Sequence, residues 1–142
     1  MKPIRHIPID LGVVLPTRPS GHVRISYLMD YDERDRDREQ LIAEFGIGSD
    51  FATFVRIEFD GPVIFRVLDE TWLSTATDSR RWEGDLTTFA RLVEGDDFAE
   101  LHSFFFELVP TAKHYQFVTG SACLDVITEE VPMASLHQTK DF

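Results

Sequence analysis

The chain has 142 residues, of which 43% are apolar, and its formal net charge at neutral pH is −11. This length fits one domain with its own hydrophobic core, predicted to span residues 1–142. The excess of carboxylates argues against binding to nucleic acids or anionic membranes, because an acidic surface repels both.

Cysteine content and hydropathy bear on the compartment. Cys123 is the only cysteine in the chain, so no intrachain disulfide can form, and a reducing cytoplasm is the expected location. The apolar run near the N-terminus, residues 11–15, is too short for a signal peptide. No run of 18 apolar residues occurs, so no membrane-spanning helix is expected.

The N-terminal third contains one predicted strand and one predicted helix. Residues 1–21 include four prolines, which predict an edge strand followed by irregular chain. Residues 22–29 alternate apolar and polar side chains, the pattern of a half-buried strand. Leu41, Ile42 and Phe45 follow a run of alternating acids and arginines at helical spacing, and this predicts a helix from Glu33 to Phe45. Calcium-loop spacing is absent from the charged run, which therefore fits a solvated helix face.

The middle of the chain predicts a hairpin and two helices. Two β-rich runs, 51–59 and 63–68, flank a turn with Gly61 in a positive-φ conformation, and a continuation of the second run through 71–76 is also expected. Asp85 is a suitable N-cap for a helix that ends at Gly95. Asp97 and Glu100 resemble a capping box for a second short helix, which ends at Pro110.

A second hairpin is predicted at residues 114–119 and 122–128, around Gly120-Ser121. In this register Phe117 lies opposite Leu124 and Tyr115 opposite Val126. Residues 129–142 show no periodicity and are expected to be irregular. The fold class expected from all these elements is α+β, a mainly antiparallel sheet built from hairpins, with about three helices packed on one face.

The final hairpin also carries the candidate ligand-binding residues. His114, Gln116 and Asp125 share one face, and the diagonal distance between His114 and Asp125 permits a contact. The five histidines lack partners at metal-binding spacing, and the chain has no nucleotide-binding glycine motif, so neither a metal nor a cofactor is expected.

Candidate partner-binding residues lie in two other segments. The first is the basic and aromatic group Arg80, Arg81 and Trp82, whose residue types are common in interface hot spots. The second is the acidic group Glu94, Asp96, Asp97 and Glu100. Phe104 and Phe106 cannot both share the face of Phe105, and this suggests an aromatic surface for a homodimer.

These observations lead to two hypotheses about function. The leading one is a small acidic protein without catalytic activity that binds another protein, as an acidic antagonist or accessory protein does. The alternative is a small-molecule binding protein or enzyme with a Phe-lined pocket between sheet and helices. A pocket of about 300 Å³ or more with His114 and Asp125 converging inside it would favour the alternative. A face filled by aromatic side chains would favour the leading hypothesis.

Overall fold

A computed structural model describes residues 4–16, 19, 23–30, 38–47, 52–69, 88–119 and 122–138. These residues form two antiparallel sheets and two short helices. Sheet A has the strand order β1-β6-β7-β8-β5, and sheet B has the order β2-β3-β4-β9. The strands are β1 (Arg5–Pro8), β2 (Val23–Asp30), β3 (Arg38–Ile47), β4 (Thr53–Asp60), β5 (Ile64–Asp69), β6 (Ala90–Glu94), β7 (Lys113–Val118), β8 (Ala122–Thr128) and β9 (Met133–Gln138).

The main hydrophobic core lies between the two sheets. Alternate side chains of the central strands point inward, as the two-residue period of a strand requires. Aromatic rings from the two sheets contact each other, with ring centroids 5.6 Å apart for Phe59 and Tyr115 and 6.0 Å apart for Phe45 and Phe117. The buried cluster comprises Leu41, Ala43, Phe45, Val55, Ile57, Phe59, Phe89, Ala90, Tyr115, Phe117, Leu124 and Val126.

The predicted α+β class with about three helices is wrong, and the first helix is one reason. The described part of residues 33–45 lies in strand β3, while residues 33–37 lie outside the described residues. Leu41 and Phe45 are four residues apart, a spacing that suits both a helix and a strand. Ala43, between them, is also completely buried, so the true period is two.

The helix predicted to begin at Asp85 is also wrong where the structure describes it. Residues 90–94 form strand β6, which lies between β1 and β7. Ala90, Arg91 and Val93 are all buried, because both faces of this strand are covered. A strand buried on both faces lacks simple alternation, which explains the mistaken helical interpretation.

The two runs expected to form the first hairpin do form strands, but they belong to different sheets. Strand β4 pairs with β3 and β9, whereas β5 pairs with β8. Gly61 has a φ of 136°, positive as expected, and its amide donates to the carbonyl of Glu39 at 2.8 Å. The turn therefore carries the chain from sheet B to sheet A. Residues 71–76 lie outside the described residues.

The final hairpin has the predicted register. Phe117 pairs with Leu124 and Tyr115 with Val126, although residues 120 and 121 of the turn lie outside the described residues. The absence of periodicity in residues 129–142 predicts an irregular tail, but residues 133–138 form strand β9. It pairs with β4 along six residues and forms an edge of sheet B.

The two helices are α1 (Asp97–Leu101) and α2 (Ser103–Leu108). They follow β6 and cover the face of sheet A that points away from sheet B. The N-cap is Asp96, whose Oδ1 accepts from the amide of Ala99 at 2.9 Å, so Asp97 is the first helical residue and not the cap. Neither helix of the described chain is long and apolar enough to cross a membrane.

Candidate functional site

A row of polar side chains crosses the outer face of sheet A. Arg66, Asp125, Gln116 and Arg91 come from β5, β8, β7 and β6, and each is paired in register with the next. Side chains in register on one face are close enough to bond. Arg66 Nε donates to Asp125 Oδ2 at 3.1 Å, Gln116 Nε2 donates to Asp125 Oδ1 at 3.0 Å, and Arg91 Nε donates to Gln116 Oε1 at 2.7 Å.

His114 joins this row at Asp125. Its Nε2 lies 2.8 Å from Asp125 Oδ1, which confirms the diagonal contact expected from the hairpin register. Asp125 is completely buried, and its carboxylate is therefore shared among an arginine, an amide and an imidazole. The Sγ of Cys123 is 4.0 Å from Asp125 Oδ2, the length of a weak contact.

Asp96 approaches the other side of the His114 ring. The distance from His114 Nδ1 to Asp96 Oδ1 is 3.2 Å, and both side chains are 1% exposed. The distance is that of an ion pair, but Nδ1 has no aligned hydrogen bond among the described residues, and neither has Asp96 Oδ2. His114 thus lies between two buried carboxylates, firmly bonded to one and loosely paired with the other.

This arrangement keeps His114 protonated. Burial alone would lower the pKa of the imidazole, but the hydrogen bond with Asp125 and the attraction of the Asp125 and Asp96 charges outweigh burial and raise the pKa to about 9. At neutral pH the ring is therefore a cation.

The pKa of the Asp96 carboxyl is shifted in the opposite direction to that of His114. Burial by itself raises the pKa of Asp96, and the charge of Asp125 does so too. The interaction with His114 and the amide of Ala99 outweigh both, so the pKa of Asp96 lies below its ordinary value. Asp96 is consequently ionised at neutral pH.

Phe98 on α1 covers this charged group. Its ring is 3% exposed, lies 5.4 Å from the His114 ring and has the guanidinium carbon of Arg66 4.3 Å from its centroid. A cation over an aromatic face is a favourable contact, and it strengthens when water is excluded. The helix that Asp96 caps therefore also seals the His114 network.

A pocket of about 290 Å³ lies beside His114, between β6, β7 and the helices. Most of its wall is apolar, and Glu94 and Lys113 are its exposed charged residues, whereas the charged His114 is buried. The remaining lining residues are Leu92, Val93, Gly95, Ala99, Phe106, Ala112 and His114. Asp125 does not line the pocket and lies behind His114, so the sequence-derived criterion, which required both residues to converge in the pocket, is not met. His114 alone reaches the pocket, whose volume is just below 300 Å³.

The same cluster is a candidate for metal binding. Ligand atoms of Asp96, His114 and Asp125 lie within 4.8 Å of one another. The two carboxylates, however, approach opposite nitrogens of the ring, and a histidine ligates with one nitrogen while the other bonds to a second group. An ion at Nδ1 would have His114 and Asp96 as protein ligands, fewer than the three of a typical catalytic zinc site. The geometry fits an imidazolium between two carboxylates better.

The residues predicted for ligand binding are brought together, whereas the acidic group predicted for partner binding is divided. Asp96 is buried against His114 and offers no surface for a partner, which corrects its assignment. Glu94 forms an ion pair with Arg5 at 3.3 Å, while Asp97 and Glu100 are exposed on α1. Arg80, Arg81 and Trp82 lie outside the described residues.

Sequence reasoning missed Arg66, Arg91 and Phe98 as members of the network. Arg66 interrupts the apolar run of residues 63–68, and Arg91 lies between the apolar residues Ala90 and Leu92. Arginine is seldom buried in such surroundings. The two arginines in apolar surroundings were the signal available in the sequence. Only the strand order shows that they lie next to Asp125 and Gln116 of the final hairpin.

Comparison with protein-family models, curated proteins and solved structures finds no match.

Proposed function

We propose that this protein binds a small, mainly apolar molecule in the pocket between sheet A and the two helices. The observation that carries the proposal is the position of this pocket against a buried, charged His114 held by Asp96 and Asp125. Buried charge networks are costly to desolvate, and strongly shifted pKa values beside a pocket are common at functional sites.

The size and lining of the pocket support a particular class of ligand. Ligand sites usually have volumes of about 300–1,000 Å³ and are mainly apolar with few polar groups. A volume of about 290 Å³ lies just below that range, so the expected ligand is compact, such as a substituted aromatic ring. Leu92, Ala99 and Phe106 provide apolar walls, while Lys113 and Glu94 supply polar contacts.

Binding is favoured over acid–base catalysis. A general base works best when its pKa is close to the working pH, and the pKa of His114, about 9, leaves it protonated at neutral pH. Both ring nitrogens also face carboxylates and are shielded from solvent. We therefore assign His114 to fixing the pocket wall. We also place the protein in the cytoplasm, because a chain with a single cysteine has no intrachain disulfide.

Three naphthalene probes test the proposal: 2-naphthol, 2-naphthoate and 2-naphthylmethylammonium. Amide chemical shifts recorded during titration locate the binding site and give the Kd of each probe. We expect the shifts to concentrate at Gly95, Ala99, Ala112 and Lys113, which line the pocket. The ranking of the three probes then shows which charge the ligand carries.

Filling the pocket provides the control. Ala99→Phe and Ala112→Phe each place a ring in the cavity and should weaken binding about tenfold or more, whereas Ser103→Phe adds the same ring at an exposed position and should not. The amide spectrum of each variant checks its fold. The absence of shifts at the lining amides with all three probes, up to their solubility, would overturn the proposal.

A further inference from the structure

The outward side of the two helices exposes a stripe of large apolar side chains. Leu101, Phe104 and Leu108 are 74%, 68% and 65% exposed. Phe104 and Leu108 are four residues apart on α2, the spacing of one helical face, and Leu101 ends the preceding helix, α1. Large exposed apolar groups clustered in this way usually mark an interaction surface, and aromatic residues are common among interface hot spots.

The segment of sequence that carries this stripe is acidic. From Leu92 to Ala112 the sequence has five carboxylates and no lysine or arginine. Three of these carboxylates, Asp97, Glu100 and Glu107, are exposed on the same helices as the stripe. We name the six residues the acidic–apolar surface: Asp97, Glu100, Leu101, Phe104, Glu107 and Leu108.

We infer that the acidic–apolar surface docks a cationic amphipathic segment of another protein. Apolar side chains of that segment would cover Leu101, Phe104 and Leu108, and its lysines or arginines would face the three carboxylates. Complementary charge accelerates association and selects the partner, while the apolar anchors supply most of the affinity. This inference does not depend on the occupant of the pocket, which lies on the inward side of the helices.

Charge argues against a second copy of this chain as the occupant. A symmetric contact places the same patch of each subunit against the other. Here it would bring Asp97, Glu100 and Glu107 of both copies together, and like charges across an interface are unfavourable. The experiment must therefore distinguish docking of another protein from the homodimer that the sequence suggested for the Phe104 region.

Synthetic helical peptides provide the test. One peptide carries leucines along one face and lysines along its flanks, a second replaces the lysines with glutamates, and a third scrambles the first. Fluorescence anisotropy measures the Kd of each peptide at 50 and 300 mM NaCl. We expect the leucine–lysine peptide alone to bind well, with affinity falling as salt rises.

Matched variants distinguish peptide binding at the acidic–apolar surface from general electrostatic attraction between a cationic peptide and an acidic protein. Phe104→Ser and Leu108→Ser should weaken binding about tenfold or more, whereas Val131→Ser, at a residue 74% exposed elsewhere, should not. Asp97→Asn with Glu100→Gln should weaken binding more than Asp10→Asn with Asp60→Asn, which changes the net charge equally at exposed sites.

Three results would overturn the inference. The first is equal binding by Phe104→Ser and Val131→Ser, and the second is no preference between the ordered and scrambled peptides. The third is a dimer in analytical ultracentrifugation that dissociates in Phe104→Ser, which would assign the surface to a second copy of the chain.

Discussion

The imidazole of His114 and the carboxylate of Asp125 meet diagonally across β7 and β8, with 2.8 Å between Nε2 and Oδ1. The contact is completely enclosed, because sheet A lies on one side and Phe98 on the other. Buried ion pairs cost desolvation energy and stabilise a fold only when their geometry satisfies the charges. The contact therefore makes stability sensitive to pH and to the loss of either partner.

Stability should decline as pH rises from neutrality to about 10. The pKa of His114 is about 9 in the folded protein and about 6.5 in an unfolded chain, so protonation favours folding. The contribution, about 3 kcal/mol, is complete below pH 6.5 and is lost as pH rises through 9. The groups facing the ring are Asp125 and Asp96, with Arg66 beyond Asp125.

Urea unfolding of the native protein and of His114→Gln, at intervals from pH 5.5 to 10, measures this effect. The variant should show a nearly flat free energy of unfolding over the range in which the native protein declines. Parallel curves for the two proteins would contradict the assignment of the decline to His114.

Removing the charge of Asp125 should destabilise the fold strongly. In Asp125→Asn the imidazolium loses its closer carboxylate and Arg66 faces an amide, so we expect a loss of about 3–5 kcal/mol in the free energy of unfolding. The pKa of His114 should fall, because burial is then opposed mainly by Asp96. Chemical denaturation and a histidine NMR titration measure the two effects.

Asp60→Asn is the matched control for that substitution. Asp60 is exposed and accepts from Gln40, and an asparagine can still accept there, so stability should change by less than about 0.5 kcal/mol. A similar loss in both variants would mean that net charge, and not the contact with His114, is responsible.

The corrected N-cap predicts different effects at two adjacent aspartates. Asp96→Ala removes the cap of α1 and the second partner of His114, so it should cost about 1–2 kcal/mol or more and lower the pKa of His114. Asp97→Ala changes an exposed side chain and should cost less than about 0.5 kcal/mol. Thermal unfolding near pH 6 compares the two, and the reverse order would restore Asp97 as the cap.

The lowered pKa of Asp96 also predicts how the stability of the fold changes in acid. Its pKa is lowered in the folded state, so its contribution to stability is present above its ordinary pKa of 3.8 and is lost as pH falls below that value. The native protein should therefore lose more stability than Asp96→Ala between pH 4.5 and 2.5. Denaturation curves over that interval, compared between the two proteins, measure the difference.

Because β9 is a strand, substitutions at its alternate positions should differ in their cost to stability. Ala134 packs against the main core, while Met133 is 49% exposed. Ala134→Asp should cost about 3 kcal/mol or more because it buries a charge, and Met133→Asp should cost less than about 0.5 kcal/mol. Equal effects in chemical denaturation would indicate an irregular tail instead of a strand.

The sequence alone was sufficient where neighbouring residues determine the structure. The register of β7 and β8 follows from a short turn between two alternating runs, and this register by itself brings His114 close to Asp125. The helical character of the segment after Gly95 also follows from its local spacing, but the structure has two helices instead of one, and Leu101 and Leu108 of the predicted apolar face are exposed. In these segments the partners are close in sequence, so local pattern and final contact agree.

Tertiary structure decided what depends on distant partners. The spacing of Leu41 and Phe45 allows a helix or a strand, and pairing of β3 with β2 and β4 settles it. Strands β4 and β5 resemble a hairpin but join different sheets, since β4 pairs with β3 and β9 and β5 pairs with the distant β8. The same strand order places Arg66 and Arg91 in line with Asp125 and Gln116, which no local pattern along the chain specifies.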